Sequence, residues 1–443
     1  MWQNQAMLTF WLPFHLRRFT VTSVWQVLTV GCCWLSPPAL AAEIAVQLVT
    51  QWQADSNPLR FPNDNTAQQA TGSARKQDTI LANDLRLGLV VPVLSERTRL
   101  LVSSNLGDRR YDYFSQLTHQ PKNLDVAFEW AVGPVVSGRL IQVYEQRLFD
   151  YLSGGLTQRD QGTLNKQIAE FSLQLTPDLA LTSTLESGRF NYDLPVNLLY
   201  NREDSGRQLS LRYRPGGSGG RGSYLSLGWR EASSRFPNRD ALQVSSLDTG
   251  YTENEWFVEA EWAYSVKTRS NLRAGLTQRD YDTLRSQNTN LLSLLWQNVY
   301  EYSPKTRFDW QLYNRPFSIV SSDTLYLTAR GMRLDVDWRA TAKTRLGAFV
   351  GQERITFHNA PNAPATLGGR YEDATRFGLR AGYELTRGVR LSTDLWRERR
   401  QRFPDQADIE QTIIRFGLAY TYENISGAAQ RSGMTRYTQD YAR

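Results

Sequence analysis

Residues 414–422 read Ile-Arg-Phe-Gly-Leu-Ala-Tyr-Thr-Tyr, and large apolar side chains occupy every second position of this stretch. Successive side chains of a β-strand point to opposite faces of the sheet. The stretch therefore predicts a strand with one apolar face and one mainly polar face. Residues 44–53 repeat the pattern near the other end of the chain, where Ile44, Leu48 and Trp52 share a face.

The same period of two runs along almost the whole chain between these stretches and predicts about eighteen strands. Each strand has roughly nine to twelve residues, which is the length that crosses a bilayer when the strand is tilted. The alternation is least regular in the fifth to seventh strands, so the strand count near residues 130–190 stays open. The predicted strand centres are residues 48, 87, 103, 128, 140, 170, 183, 209, 227, 259, 275, 296, 311, 335, 348, 379, 392 and 417.

The connections between these strands alternate in length. Short turns are predicted at Leu94–Thr98, Gly133–Pro134, Thr176–Asp178, Val266–Ser270, Ser303–Thr306, Thr341–Thr344 and Thr386–Gly388. Longer polar segments are predicted at 56–79, 110–122, 147–162, 188–205, 231–253, 280–289, 315–330, 355–370 and 400–409. Bacterial outer-membrane barrels have short periplasmic turns and long extracellular loops. The fold class is therefore predicted to be all-β, a transmembrane antiparallel β-barrel with both termini in the periplasm.

Aromatic residues support this orientation. They cluster near the ends of the strands that run inward, as the aromatic girdle of a membrane barrel does at the interface. The girdle positions are Trp130, Tyr213, Trp262, Tyr264, Tyr300, Tyr302, Trp338, Tyr383, Tyr420 and Tyr422. A soluble β-sandwich with aromatics in its core is the alternative, but it does not explain the alternating loop lengths.

The first 41 residues are predicted to be a signal peptide. Arg17 and Arg18 precede an apolar stretch, and Ala39-Leu40-Ala41 is a small-x-small cleavage site. The start at Met1 or at Met7 stays open. A lipoprotein would be lipidated at Cys32, but Thr29 stands where an aliphatic residue is needed, so ordinary cleavage is favoured. The predicted domains are the signal peptide at 1–41, the barrel at 42–422 and a periplasmic tail at 423–443.

The basic residues are almost all arginine, since only six of the 51 Lys and Arg residues are Lys, against 44 acidic residues. On strands they fall on the polar face, which would line the lumen. The lumen candidates are Arg86, Arg212, Arg230, Arg273, Arg279, Arg315, Arg333, Arg339, Arg376, Arg380, Arg390 and Arg415. Acidic residues on the same faces are Asp84, Glu255, Glu259, Glu261, Asp309, Asp335, Asp337, Glu353 and Glu384. Either the positive excess attracts anions, or the charges compensate one another and stiffen the wall.

The sequence offers little for catalysis. His119 and His358 are predicted in separate loops, and neither has an obvious catalytic partner. Asp335 and Asp337 share a strand face like a glycosidase pair, but arginines flank them, so a charge-compensated wall is favoured. No Cys or His cluster has metal-ligand spacing. The expectation is no enzyme activity, no metal and no cofactor. Arginines spread at strand spacing also argue against nucleic-acid binding.

The chain resembles outer-membrane barrels of bacterial exopolysaccharide operons, the EpsL-like proteins of the putative β-barrel porin group. The stretches that carry the resemblance are Ala54–Phe61, Arg109–Asp112 leading into Leu124–Trp130, the Gly/Trp/Tyr strands with Arg-rich turns, and Arg415–Tyr422. One departure is the continuation of the chain past Tyr422, because many barrels end on a terminal aromatic that the assembly machinery reads.

The resemblance implies a passive conduit in the outer membrane that exports a polysaccharide chain, and the lumen arginines favour an anionic one. Its implied partners are membrane lipid, the barrel assembly machinery, and inner-membrane and periplasmic export components. Tyr313 and Phe349 could then stack on sugar rings, although packing is their commoner use. The alternative is a general or anion-preferring diffusion porin for small solutes. A displayed enzyme or adhesin would use loops 56–79 and 231–253, and loops 56–79 and 315–330 are long enough to plug the lumen.

Overall fold

Eighteen antiparallel strands form one closed sheet in the computed structural model. The structure describes residues 42–423 apart from 96, 149–156, 217–221, 318–322, 362, 365–367 and 405. The strands are β1 (Glu43–Asp55), β2 (Asp78–Ser95), β3 (Thr98–Tyr111), β4 (Lys122–Val132), β5 (Val136–Leu148), β6 (Gln161–Thr176), β7 (Leu179–Tyr192), β8 (Arg202–Tyr213), β9 (Tyr224–Arg235), β10 (Gly250–Ala263), β11 (Thr268–Tyr281), β12 (Thr289–Ser303), β13 (Thr306–Phe317), β14 (Thr324–Arg339), β15 (Thr344–Asn359), β16 (Tyr371–Thr386), β17 (Val389–Phe403) and β18 (Gln406–Glu423). Each strand pairs with its neighbours in sequence, and β1 pairs with β18, with Leu48 opposite Tyr420, which closes the barrel.

The outward face of the barrel carries a belt of exposed apolar side chains. Leu48, Trp256 and Leu379 are 51%, 63% and 60% exposed, although side chains of this kind are normally buried. On β1 the belt runs from Ile44 to Trp52, about 27 Å along the strand and roughly 20 Å in height once the strand is tilted. The belt lies toward the ends joined by short connections, here called the turn end; the opposite end is the loop end. All ten predicted girdle aromatics lie on this face near the turn end.

All eighteen predicted strand centres lie within strands of the structure, so the predicted barrel and its even strand number are confirmed. The strands have from 11 residues in β4 to 18 in β2 and β18, so that most of them exceed the predicted nine to twelve residues. The extra length is at the loop end, where outward positions become polar, as at Arg397 and Arg399 on β17. Backbone pairing continues above the apolar belt because it does not depend on the polarity of the side chains. The predicted loops are correspondingly too long.

The predicted alternation fails around β5 and β6 because apolar residues stand on the lumen face and a polar residue stands on the outward face there. Ile141 and Val143 on the lumen face are buried in an apolar cluster with Val90 and Leu101 of β2 and β3. Their neighbour Gln142 points outward, where the belt is apolar on most other strands. This exchange is the physical reason that the sequence pattern is blurred there.

Three loops at the loop end share one arrangement, here called the aspartate clasp. A fully buried aspartate just before, or at the start of, one strand accepts backbone N–H bonds from the loop that follows the next strand. Asp78 accepts from Tyr113 and Phe114 at 2.8 Å each. Asp160 accepts from Asp193 and Leu194 at 3.1 and 3.0 Å.

Asp248 forms the third clasp, accepting from the backbone N–H groups of Thr283 and Leu284 at 2.9 and 2.6 Å. Each clasped loop begins with Tyr-Asp, at 111–112, 192–193 and 281–282, and continues into a short 3₁₀ helix. A polar side chain beyond that helix accepts the tyrosine N–H, such as Asn288 from Tyr281 at 2.9 Å. The loop end is therefore held by a hydrogen-bond pattern that recurs every four strands.

The longer loops contain two short helices that the sequence pattern does not predict. They are α1 (Asp64–Thr71) and α2 (Ala241–Leu247), and both begin at a side-chain cap, Asn63 and Asp240. Among the described residues, neither helix has the length or the apolar character to cross a bilayer. The predicted signal peptide, nearly all of the predicted tail and most of the glycine-rich connection at 216–222 lie outside the described residues.

Candidate functional site in the barrel lumen

The lumen contains a cavity of about 1390 Å³ lined by the inward faces of strands from β6 to β18 and by one loop. Eleven basic side chains line it: Arg60, Lys166, Arg202, Arg230, Arg273, Arg279, Arg315, Arg333, Arg376, Arg380 and Arg415. Seven acidic side chains line it: Glu186, Asp204, Glu253, Glu255, Glu353, Asp394 and Glu398. The lining therefore has an excess of four positive charges.

Eight of the twelve arginines predicted to face the lumen line this single cavity. The other four are Arg86, Arg212, Arg339 and Arg390. Arg212 stands near the turn end, where its guanidinium lies over the Tyr224 ring and 3.9 Å from Glu259. Arg86 reaches Gln47 at 3.3 Å and Asp84 at 3.8 Å.

On one wall of the cavity, ion pairs and one tyrosine hydrogen bond connect side chains of β13, β15, β16 and β17. Arg400 binds Glu372 and Glu398, each at 2.9 Å. Glu398 also binds Arg376 at 2.5 Å, and Arg376 lies 3.5 Å from Glu353. The Tyr313 hydroxyl donates to Glu353 at 2.6 Å. The strand register brings these residues together, since Arg376 faces Glu398 directly across the β16–β17 pair.

A second group on the same wall surrounds an aromatic ring. Asp335 accepts from Arg333 at 2.6 Å and from Arg380 at 2.6 Å. Both guanidinium groups lie over Phe349, at 4.5 and 5.6 Å from the ring centroid. Asp335 is therefore paired with Arg333 and Arg380, and the predicted charge compensation of this carboxylate holds.

The facing wall on β6 to β11 is equally charge-paired. Glu186 binds Lys166 at 2.7 Å and Arg230 at 3.0 Å. Next along the wall, Glu253 binds Arg279 at 2.5 Å, and Arg279 is only 2% exposed. Ion pairs of this kind fix the side chains against the wall, because each guanidinium holds its carboxylate through oriented donors.

Arg273 continues this wall, binding Glu255 at 2.9 Å, while Glu255 also accepts from the Ser293 hydroxyl. Most predicted lumen arginines are thus paired. Two lining arginines have no carboxylate partner among the described side chains. Arg315 lies over the Tyr313 ring at 5.3 Å, and Arg415 donates to the Gln53 amide oxygen at 2.9 Å.

Several charged residues of the site escape the sequence pattern. Lys166 and Glu186 lie on β6 and β7, where the alternation is blurred, and Arg400 lies in a segment predicted as a loop. Glu253 likewise falls in a predicted loop, but its place on β10 puts it on the same face as Glu255. An alternation test extended into polar segments would have found the last two.

The loop between β1 and β2 reaches the cavity, since Arg60 is one of its lining residues. Leu59 and Phe61 on either side of it are buried against Phe114 and Leu117 of the neighbouring loop. This agrees in part with the prediction that loop 56–79 can fold inward. Much of the predicted loop 315–330 belongs to β13 and β14, and residues 318–322 lie outside the described part.

The two histidines lie in different surroundings. His119 is in a loop as predicted, and burial lowers its pKa below the usual value. His358 is not in a loop: it lies on β15, stacked on Tyr326 at 4.1 Å, with Thr328 Oγ1 3.1 Å from its Nε2. That prediction was wrong because β15 extends above the apolar belt. Within the described ranges no group of three His, Cys, Asp or Glu residues could hold a metal ion.

The chain is similar to several solved structures, among them the following three. OpdK, an outer-membrane protein of Pseudomonas aeruginosa, is 11% identical, with a TM-score of 0.47 over 86% of this chain and 99% of that one. OpdQ of the same organism is 8% identical, with a TM-score of 0.46 over 87% and 98%. OccAB3 of Acinetobacter baumannii is 10% identical, with a TM-score of 0.45 over 86% and 99%. Neither a protein-family model nor a curated protein sequence matches the chain. The function of the chain is therefore inferred from the geometry and charge of its own lumen.

Proposed function

We propose that this barrel is an outer-membrane channel for the passive diffusion of small solutes, with a preference for anions. The observation that carries the proposal is the lumen cavity, whose charged lining has an excess of four positive charges. A low-dielectric wall focuses such an excess into a field that raises the local concentration of anions. An eighteen-stranded barrel has the width for an aqueous passage.

The proposed membrane is the bacterial outer membrane, with its lipid as the partner of the apolar belt. The belt supports this because water-exposed Trp and Leu side chains at such density would otherwise cost free energy. A closed barrel satisfies all its backbone hydrogen bonds within the sheet, which a hydrocarbon environment requires. The loop end would then be extracellular and the turn end periplasmic.

The arginine contacts of the lumen aromatic rings favour small solutes over a polysaccharide as the transported species. Sugar rings bind to free aromatic faces, but Arg333 and Arg380 both lie over the Phe349 ring. Arg315 lies over Tyr313, whose hydroxyl is bonded to Glu353. These contacts use the aromatic surface that a sliding sugar chain would need. Polysaccharide export, with its export partners, remains only the expectation from the resemblance to EpsL-like barrels.

The proposal is tested by planar-bilayer conductance of the refolded protein, with the reversal potential recorded in a salt gradient. The wild type is expected to give a steady, anion-selective current. In the double variant Arg315→Gln/Arg415→Gln, two of the four excess positive charges disappear, so the selectivity should fall by about half on a logarithmic scale. The barrel should remain folded, because neither arginine is part of an ion pair among the described residues.

The matched control is Arg399→Gln, which removes an arginine from the outward face, where it binds Asp408 at 2.9 Å. It should leave the selectivity unchanged. An anionic oligosaccharide added to the chamber separates the two functions: brief or no block fits the diffusion channel, whereas long block would favour a polysaccharide conduit. A wild-type barrel without current, or with cation selectivity, would refute the proposal.

A further inference from the structure

A polar stripe interrupts the apolar belt on the outward face of β5, β6 and β7. Gln142, Asn165, Gln167, Ser183 and Ser187, here called the amide stripe, have the same outward parity as the exposed residues Leu140, Phe171 and Leu185. Gln142 faces Gln167 across the β5–β6 pair, and Gln167 faces Ser187 across the β6–β7 pair. Gln142, Gln167 and Ser187 therefore form one row across three neighbouring strands, Asn165 is the next outward residue on β6, and the outward Leu185 separates Ser183 from Ser187.

The stripe reaches into the height of the belt. Gln142 lies directly opposite Val126 of β4, which stands between Leu124 and the girdle residue Trp130 along the same outward face. Ser183 faces Phe171 across the β6–β7 pair. Bare amides at this depth are unfavourable in lipid, since hydrocarbon offers no hydrogen-bond partner.

Another outward amide of this barrel is covered by side chains of the barrel itself. Asn298 on β12 is 4% exposed. With its amide oriented to satisfy its neighbours, it lies 3.0 Å from the Ser270 hydroxyl and 2.8 and 3.1 Å from the indole nitrogens of Trp296 and Trp310. Two tryptophans thus cover the polar group.

Gln167 has no such cover. It is exposed, and its amide has no hydrogen-bond partner among the described residues. Gln142 donates to Asn165 at 2.7 Å, and the strand register places Gln167, rather than an aromatic residue, directly opposite it on β6. The exposed Gln167 amide is therefore available to form hydrogen bonds with another polar surface.

We propose that the amide stripe is the interface through which two copies of this chain associate side by side in the membrane. In a two-fold interface the same patch meets itself, so each group must be able to pair with its own kind. Glutamine, asparagine and serine carry both a donor and an acceptor, and the outward charge opposite Asn165, that of Arg189, is compensated by Glu203 at 2.5 Å. The flanking Leu140, Phe171 and Leu185 supply apolar contact around the polar centre. This inference concerns assembly and stands apart from the proposed solute.

The test is disulfide trapping in native membranes. In a background with Cys32→Ser and Cys33→Ser, so that the full sequence has no other cysteine, Gln167→Cys places one thiol in the stripe. Mild oxidation should convert a large share of the chain to a band of twice the mass that a reductant removes. Leu379→Cys is the matched control, because it also places an exposed thiol on the outward face, here on β16, and it should stay monomeric.

Two further measurements decide between a dimer and a monomer. In the Gln142→Leu/Gln167→Leu variant the dimer fraction in lipid nanodiscs should fall at least several-fold, while heat-modifiable migration reports that the barrel is still folded. If Gln167→Cys dimerises no more than Leu379→Cys in a folded barrel, the proposal is wrong. A cross-linked band whose mass differs from that of two copies would also overturn it, in favour of a different partner.

Discussion

Replacing Arg400 by methionine is expected to lower the free energy of unfolding by about 3–5 kcal/mol, the cost of leaving buried charge without a partner. Arg400 is fully buried, and its guanidinium holds Glu372 and Glu398, which are 5% and 4% exposed. Without it the two buried carboxylates lose their shared partner, and the remaining cations that act on them are Arg376 and Arg60 at Glu398 and Arg402 at Glu372. Urea unfolding in lipid vesicles, followed by tryptophan fluorescence, measures the change.

Arg399→Met is the matched control, because residue 399 precedes Arg400 on β17 and points outward. Its partner Asp408 is on the exposed surface, and exposed pairs contribute about 0–1 kcal/mol. Adding Glu372→Gln and Glu398→Gln to Arg400→Met should recover part of the loss, since the uncompensated charge is then removed. Equal losses in Arg399→Met and Arg400→Met would show that burial of the pair has no energetic consequence.

The strands could be predicted from the sequence because lipid on one side and water on the other impose a period of two. That contrast ends at the height of the belt. On β17 the loop is predicted to begin at residue 400, yet the strand continues as far as Phe403. The ends of the strands therefore depend on backbone pairing with the neighbouring strands. This pairing produces no alternation of apolar and polar residues in the sequence of one strand.

The positions of the lumen arginines could be predicted from the sequence, but whether each of them is paired with a carboxylate could not. Whether a guanidinium is free depends on which carboxylate stands beside it on the next strand, and that is a property of the register. Arg376 looks like a free lumen charge until Glu398 is placed opposite it, whereas Arg315 is left without such a partner. The two arginines are alike in sequence and differ in what they offer an anion.

Replacing Asp248 by alanine is expected to release the loop at 282–288 while leaving the barrel intact. The carboxylate is fully buried and accepts from the backbone N–H groups of Thr283 and Leu284. Losing it leaves these donors unsatisfied, at a cost of about 2 kcal/mol, which is roughly a thirty-fold larger open fraction of the loop. Trypsin cleavage after the exposed Arg285 should accelerate by that factor in the folded barrel.

Asp282→Ala is the control for this prediction. Asp282 is exposed and neighbours the clasp, but among the described residues its side chain makes only a 3.4 Å hydrogen-bond contact, with the Thr249 hydroxyl. Cleavage after Arg285 should therefore stay close to the wild-type rate. If Asp248→Ala is no more sensitive than Asp282→Ala, the clasp does not hold the loop.

The same clasp should open in acid. Burial opposes the charged form of Asp248, but the backbone N–H groups of Leu284 and Thr283 outweigh it and lower its pKa below 3.8. A carboxylate with a lowered pKa stabilises the folded loop above about pH 4, and this contribution is lost as the pH falls through the folded-state pKa. Pepsin cleavage near Leu284 should therefore accelerate as the pH is lowered from 4 to 2. In Asp248→Asn the side chain cannot ionise, so the cleavage rate, once corrected for the activity of pepsin, should show no such step. A step of equal size in Asp248→Asn would assign the acid sensitivity to another carboxylate and leave the clasp closed throughout this range.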